Sequence, residues 1–199
     1  MGKLSGFGIW MIGIALATTV NAQGLVGKAL VDGREVELFS DKTWRFSEES
    51  AEDCRTLSAK LAFCGNASEW KPTAAPTSDI LAAFRHDDKN YGQFIIEDLG
   101  MAQGLTMPAV REFVLGFAEQ AAGEPPVIIS TDPVTMGELT GETMVYAITI
   151  SGVELIYVNS IFLSENTLLQ AMTYQVASEY TPEHDALHAE FLAATRLME

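Results

Sequence analysis

The stretch TPEHDALHAEF, residues 181–191, holds two of the chain's three histidines, His184 and His188, four residues apart, with Asp185 directly after the first. On a helix that spacing puts both imidazoles on one face, where they could share a divalent metal. The pattern HDxxH is one methylene away from the HExxH zinc helix, in which the glutamate acts on a zinc-bound water. A hydrolytic site needs two things more, a carboxylate aimed at that water and a third ligand. Asp185 points away from the two imidazoles on a helical wheel, and the third ligand could only be Glu190, Glu199 or His86 arriving from elsewhere. The competing reading is structural. With Phe191 at the centre of the apolar stripe, His184 falls about 20° and His188 about 60° from it at 100° per residue, so both rim the buried face beside Leu187.

A second group of chemical residues lies in RHDDKNYGQFIIED, 85–98, where His86 stands with Asp87, Asp88, Glu97 and Asp98. Such a set could bind a divalent ion or exchange protons. The same Asp-Asp-Lys-Asn run is what a turn into a strand wants, because Asp and Asn bond their own backbone, and it lacks the spacing and closing glutamate of a calcium loop. The two cysteines, Cys54 and Cys64, predict a disulfide. In one unbroken helix their Cα atoms would lie about 15 Å apart, beyond the roughly 7 Å that a bridge spans, so the helix expected over residues 48–61 must end or start between them. Beyond residue 22 there is no GxSxG elbow, Walker A loop or dinucleotide glycine fingerprint, and no cofactor is indicated. The aromatics Tyr146, Tyr157, Phe162 and Tyr174 fall at strand spacing and read as core or sheet face; on an uncovered face they would be the first candidates for binding.

The elements that must position these residues begin after a leader. Residues 1–22 carry Lys3, an apolar run from Phe7 to Ala17 and the small-residue end Val20-Asn21-Ala22. That is a secretory signal peptide cut after Ala22, and the run is too short to span a bilayer, so a periplasmic or extracellular protein without stable membrane insertion is expected. The net charge is −15, and residues 112–195 hold twelve acids and no Lys or Arg. A field of that sign repels nucleic acid and favours a cationic partner. Residues 23–65 read as a β-meander, turning at Asp32-Gly33 and Ser40-Asp41-Lys42, followed by the disulfide-linked helix capped by Ser47. Residues 66–78, rich in Pro, Ala, Thr and Ser, read as a linker.

Residues 79–199 form the main domain. A strand is expected over 91–99. A helix capped by Thr106 follows, with Val110, Phe113, Val114, Phe117 and Ala121 as its apolar stripe and Gly123 as its stop. Four extended runs come next, at 127–131, 142–151, 153–163 and 167–177, and the short breaks between them make antiparallel neighbours. A last helix opens at Thr181-Pro182, with Leu187, Phe191, Ala194 and Met198 buried. The order predicts an α+β fold, an antiparallel meander flanked by helices, with a small N-terminal β and helix appendage.

The segment DGREVEL…DKTWRF resembles a short element found near the N-terminus of many exported bacterial proteins, and it names no chemistry. The meander ETMVYAITISG-VELIYVNSIFLSEN-TLLQAMTYQVASE with its closing helix resembles the Mog1/PsbP-like α/β/α group over some 120 residues. The resemblance implies a non-catalytic binding or assembly role, with a protein partner in the cell envelope, and transfers no functional residue. Against it stands a metal-dependent hydrolase using His184, His188 and His86.

Overall fold

The computed structural model describes residues 24–31, 34–46 and 54–198. The leader expected at 1–22, the Asp32-Gly33 turn and the Ser47 cap lie outside the described residues. No helix among the described residues is long and apolar enough to cross a membrane. The chain divides into two compact units, residues 1–48 and 49–199.

The first unit is an antiparallel meander of β1 (Leu25–Val31), β2 (Arg34–Phe39) and β3 (Trp44–Phe46). Val31 pairs with Arg34. The second turn puts Lys42 in the left-handed region at φ 68° and is held by the Lys42 N–H donating to the Phe39 carbonyl. The Asp41 carboxylate accepts from the Thr43 N–H at 2.9 Å, which is why an aspartate suits that corner.

The second unit is built on a seven-stranded antiparallel sheet. Its strands are β6 (Lys71–Thr73), β7 (Ala82–Arg85), β8 (Asn90–Glu97), β9 (Val127–Met136), β10 (Leu139–Ile150), β11 (Val153–Leu163) and β12 (Leu168–Val176). They are ordered β6-β7-β8-β12-β11-β10-β9. Ser151 and Gly152, both at positive φ, make the two-residue turn between β10 and β11 that matches strand twist.

Neighbouring residues of the central strands face opposite layers. Ile161 and Leu168 pack in a cluster with Val110, Val114 and Ala118 of α1 (Met107–Ala122). Phe162 and Leu169 pack in another with Phe191 of α2 (Pro182–Ala193). Burial on both faces explains why β11 reads as a nearly continuous apolar run.

Three expectations are corrected. The described part of the helix expected over residues 48–61 instead forms strand, β4 (Arg55–Thr56) and the start of β5 (Leu61–Phe63), in a second sheet whose third strand is β13 (Thr195–Leu197). The Cys54–Cys64 bridge closes this hairpin with Cα atoms 3.9 Å apart, a separation reached by extended strands folding back and by no helix over ten residues. Burial of Leu61 and Phe63 holds the segment extended. The expected linker contains Trp70, 2% exposed, and the edge strand β6. On α1, Phe113 and Phe117 are exposed at 59% and 71%, and the buried stripe is Val110, Val114 and Ala118. This roll also brings Arg111 to β10, where its Nε and Nη2 donate to the two Glu142 oxygens at 2.7 and 2.6 Å.

Replacing both Cys54 and Cys64 by alanine removes the constraint this ten-residue separation places on the unfolded chain. The loss expected is about 2.5 kcal/mol, to be read as a lower urea midpoint than that of the oxidised protein.

Candidate functional site

The residues that could do chemistry meet on α2. Its cap, Thr181, is extended, Pro182 opens the first turn, and the helix stops at Ala193 with Met198 exposed beyond it. His184 and His188 are not at the rim of the buried face but inside it, 3% and 4% exposed. His188 is held there by hydroxyls on the facing strands. His188 Nε2 lies 2.8 Å from Ser160 Oγ on β11, and its Nδ1 lies 3.0 Å from Thr173 Oγ1 on β12. Ser160 Oγ in turn lies 2.6 Å from Thr143 Oγ1 on β10, so one chain of hydrogen bonds ties α2 to three adjacent strands. Burial pushes the His188 imidazole down to about pKa 4, so the ring is neutral at physiological pH.

A serine bonded to a histidine that is oriented by a third group has the outline of a nucleophile and its base. Here the orienting group is a hydroxyl where a carboxylate would be needed to stabilise an imidazolium, and Ser160 has no exposed surface. A substrate has no route to that oxygen.

His184 is used locally. The Thr181 N–H donates to its Nδ1 at 3.1 Å, which places the ring proton on Nε2, a buried atom without a hydrogen-bond partner among the described residues. Asp185 turns outward and accepts from the Tyr180 hydroxyl at 2.5 Å. Burial, followed by this carboxylate, pushes the Tyr180 phenol up to about 12. His86 sits apart on the β7–β8 turn, its ring 4.8 Å from that of Trp70. Asp87 accepts from the N–H groups of Lys89 and Asn90 and from the Asn90 amide; partial burial pushes its carboxyl up, and these bonds outweigh that and hold it below the usual range. Asp88 pairs with Arg85 at 3.1 Å. Among the described residues no three His, Cys, Asp or Glu side chains stand together as a metal site, so the structure does not bring His86 to His184 and His188.

The aromatic candidates divide. Phe162 belongs to the α2 face, whereas Tyr146, Tyr157 and Tyr174 stand on the α1 face. They are joined there by Tyr91, which sequence reasoning missed. The four are directly opposite one another on β10, β11, β12 and β8. Their rings stack at centroid spacings of 5.2, 5.0 and 5.0 Å with interplanar angles of 6°, 21° and 10°. Burial, then the neighbouring phenols, raises the Tyr157 and Tyr174 hydroxyls. Because every ring face but the outermost two is taken by the next ring, the ladder is a spine across the sheet that stiffens it through cross-strand pairs. Beneath it, Asn159 donates to Gln170 at 2.9 Å, both buried. The signal for both polar networks was present in the sequence as Asn159-Ser160 in the middle of the run LIYVNSIFL.

No family model matches the chain, and no curated protein does. Among solved structures it is similar to the solution structure of cyanobacterial PsbP (CyanoP) from Synechocystis sp. PCC 6803, at 10% identity over 70% of this chain and 87% of that one, with a TM-score of 0.52. It is also similar to LpqN, described as involved in cell envelope biogenesis of Mycobacterium tuberculosis, at 13% identity over 70% of this chain and 83% of that one, with a TM-score of 0.45. A Bacteroides thetaiotaomicron protein of known structure aligns with 70% of this chain and 45% of its own at 10% identity, with a TM-score of 0.46. By its antiparallel sheet, its two helices and its likeness to the first of these, the chain has the PsbP/Mog1-like fold.

Proposed function

We propose that this chain is an exported, non-catalytic binding or assembly module that works outside the cytoplasm, with a protein partner in the cell envelope. The observation that carries this reading is the sealing of the histidine pair. His184 and His188, the residues best spaced for metal chemistry, face the interior, and His188 uses both ring nitrogens to hold α2 on the sheet. A metal ligand needs a free lone pair aimed at a site open to substrate, and neither imidazole offers one. The Cys54–Cys64 bridge fits an oxidising compartment, as does the leader pattern at residues 1–22.

The test is the native mass of untagged protein purified from its export compartment without chelator. The expected mass is that of residues 23–199 less two hydrogens, with no metal. One zinc retained per chain, and lost when His184 and His188 are both changed to alanine, would overturn the reading in favour of a metal-dependent hydrolase. A mass that includes residues 1–22 would overturn the export step alone.

A further inference from the structure

Among the described residues, the side of α1 turned away from the sheet exposes two large apolar side chains. Phe113 and Phe117, one turn apart, are 59% and 71% exposed, and a side chain added at Gly116 between them would meet no atom within 4 Å. Two exposed phenylalanines flanking a glycine make a knob-and-hole surface of the kind a second helix fills. The edge strand β9 also exposes apolar side chains. Tyr146 packs in the same cluster as Ala118 of α1, and its cross-strand neighbour on β9 is Ile128, on the same face and 51% exposed. Two acids on the exposed side of α1, Glu112 and Glu119, rim this surface, and residues 112–195 supply no Lys or Arg to neutralise them.

We infer that this face of α1 docks a basic amphipathic helix of another protein, its apolar side on Phe113, Gly116 and Phe117 and its lysines or arginines on Glu112 and Glu119. The inference rests on the binding-module reading and names its surface and the chemistry of its partner. Charge decides against a second copy of this chain. A two-fold pairing of α1 with itself would set the same acidic rim against itself, in a molecule of net charge −15. The tyrosine ladder is a poorer docking surface, because all but its two outermost ring faces are occupied by one another.

The probe is a tryptophan-labelled Leu/Lys amphipathic helical peptide, titrated into the mature protein at physiological salt beside its Leu/Glu counterpart. The Leu/Lys peptide is expected to bind and the Leu/Glu peptide not to. Changing Phe113 and Phe117 together to alanine should weaken binding about tenfold or more while leaving the unfolding midpoint in place, since exposed side chains contribute little to the fold. The double change Glu112→Lys, Glu119→Lys should weaken it comparably and flatten its salt dependence. Absence of binding, or binding that both double variants leave unchanged, overturns the inference; so does concentration-dependent self-association that the phenylalanine changes abolish. Each of these leaves the metal-free native mass untouched, so failure of this surface is distinguishable from failure of the module reading.

Discussion

Phe191→Ala is expected to remove about 4 kcal/mol of unfolding free energy, in the middle of the range for a buried aromatic. The ring is fully buried and is the common neighbour of both layers on its side of the sheet. It stacks on Phe94 of β8 at 4.6 Å and meets Phe63 of β5 and Trp70 at 4.9 Å each, with Phe84 of β7 at 6.3 Å. Beneath it lies Gly92, where a Cβ would come within 2.5 Å of the ring, so the sheet has given up a side chain to let Phe191 in. Truncation therefore opens a cavity walled by four aromatic rings and a bare backbone, none of which can move in without leaving another contact. The same change loosens α2, β13 and the disulfide hairpin, because β13 follows α2 and pairs with β5. In thermal unfolding of a domain of this size the drop should be about 10 °C. Phe191→Leu, which keeps most of the volume, should cost less than half as much. A loss below about 1.5 kcal/mol for the alanine variant would mean that the outer layer is held by something other than this ring.

How much of this was legible in the sequence depends on which force decided each element. The strands between Val127 and Val176 were legible because their apolar runs are long and their breaks carry turn residues; β11 spans Val153–Leu163 as the pattern required. The caps Thr106 and Thr181 were legible because capping is local chemistry. Residues 54–64 were not, since a helical pattern there loses to a covalent bridge and to the burial of Leu61 and Phe63, both non-local. The face of α1 was misread for a related reason. With apolar residues at Val110, Phe113, Val114 and Phe117 the periodicity allows more than one roll, and the one taken packs Val110, Val114 and Ala118 on the sheet and pairs Arg111 with Glu142, thirty-one residues away. The depth of His188 needed knowledge of hydroxyls on other strands, and the tyrosine ladder needed the register of four strands at once. Spacing along one helix carries neither.

Acid should destabilise the protein through His188, by about 3 kcal/mol between pH 6.5 and pH 4. The sign follows from which state binds the proton. In the unfolded chain the imidazole titrates near its ordinary 6.5, and in the fold burial holds it at about 4. Between those values the unfolded chain carries a proton that the native protein refuses, so stability rises with pH across this window. The contribution is complete above pH 6.5 and is lost progressively as the pH falls toward 4. Nothing in the pocket compensates a charge, since both ring nitrogens face hydroxyls, Ser160 and Thr173, and no carboxylate bonds the ring. The two acids nearest along α2 are engaged elsewhere, Glu190 accepting from the Trp70 Nε1–H at 2.7 Å and Asp185 turned outward to Tyr180. Other groups also titrate as the pH falls, the low Asp87 carboxyl among them, so the quantity to measure is a difference. Urea midpoints of wild type and His188→Gln, taken at half-unit steps from pH 7.5 to 4.5, should converge as the pH falls, because the variant lacks the proton-linked loss. At pH 7.5 the variant should be the less stable of the two, having broken the bonds that tie α2 to β11 and β12. Parallel curves across the whole range would show that His188 takes up its proton in the folded state as readily as in the unfolded one, and the sealed pocket on which the non-catalytic reading rests would have to be open to water.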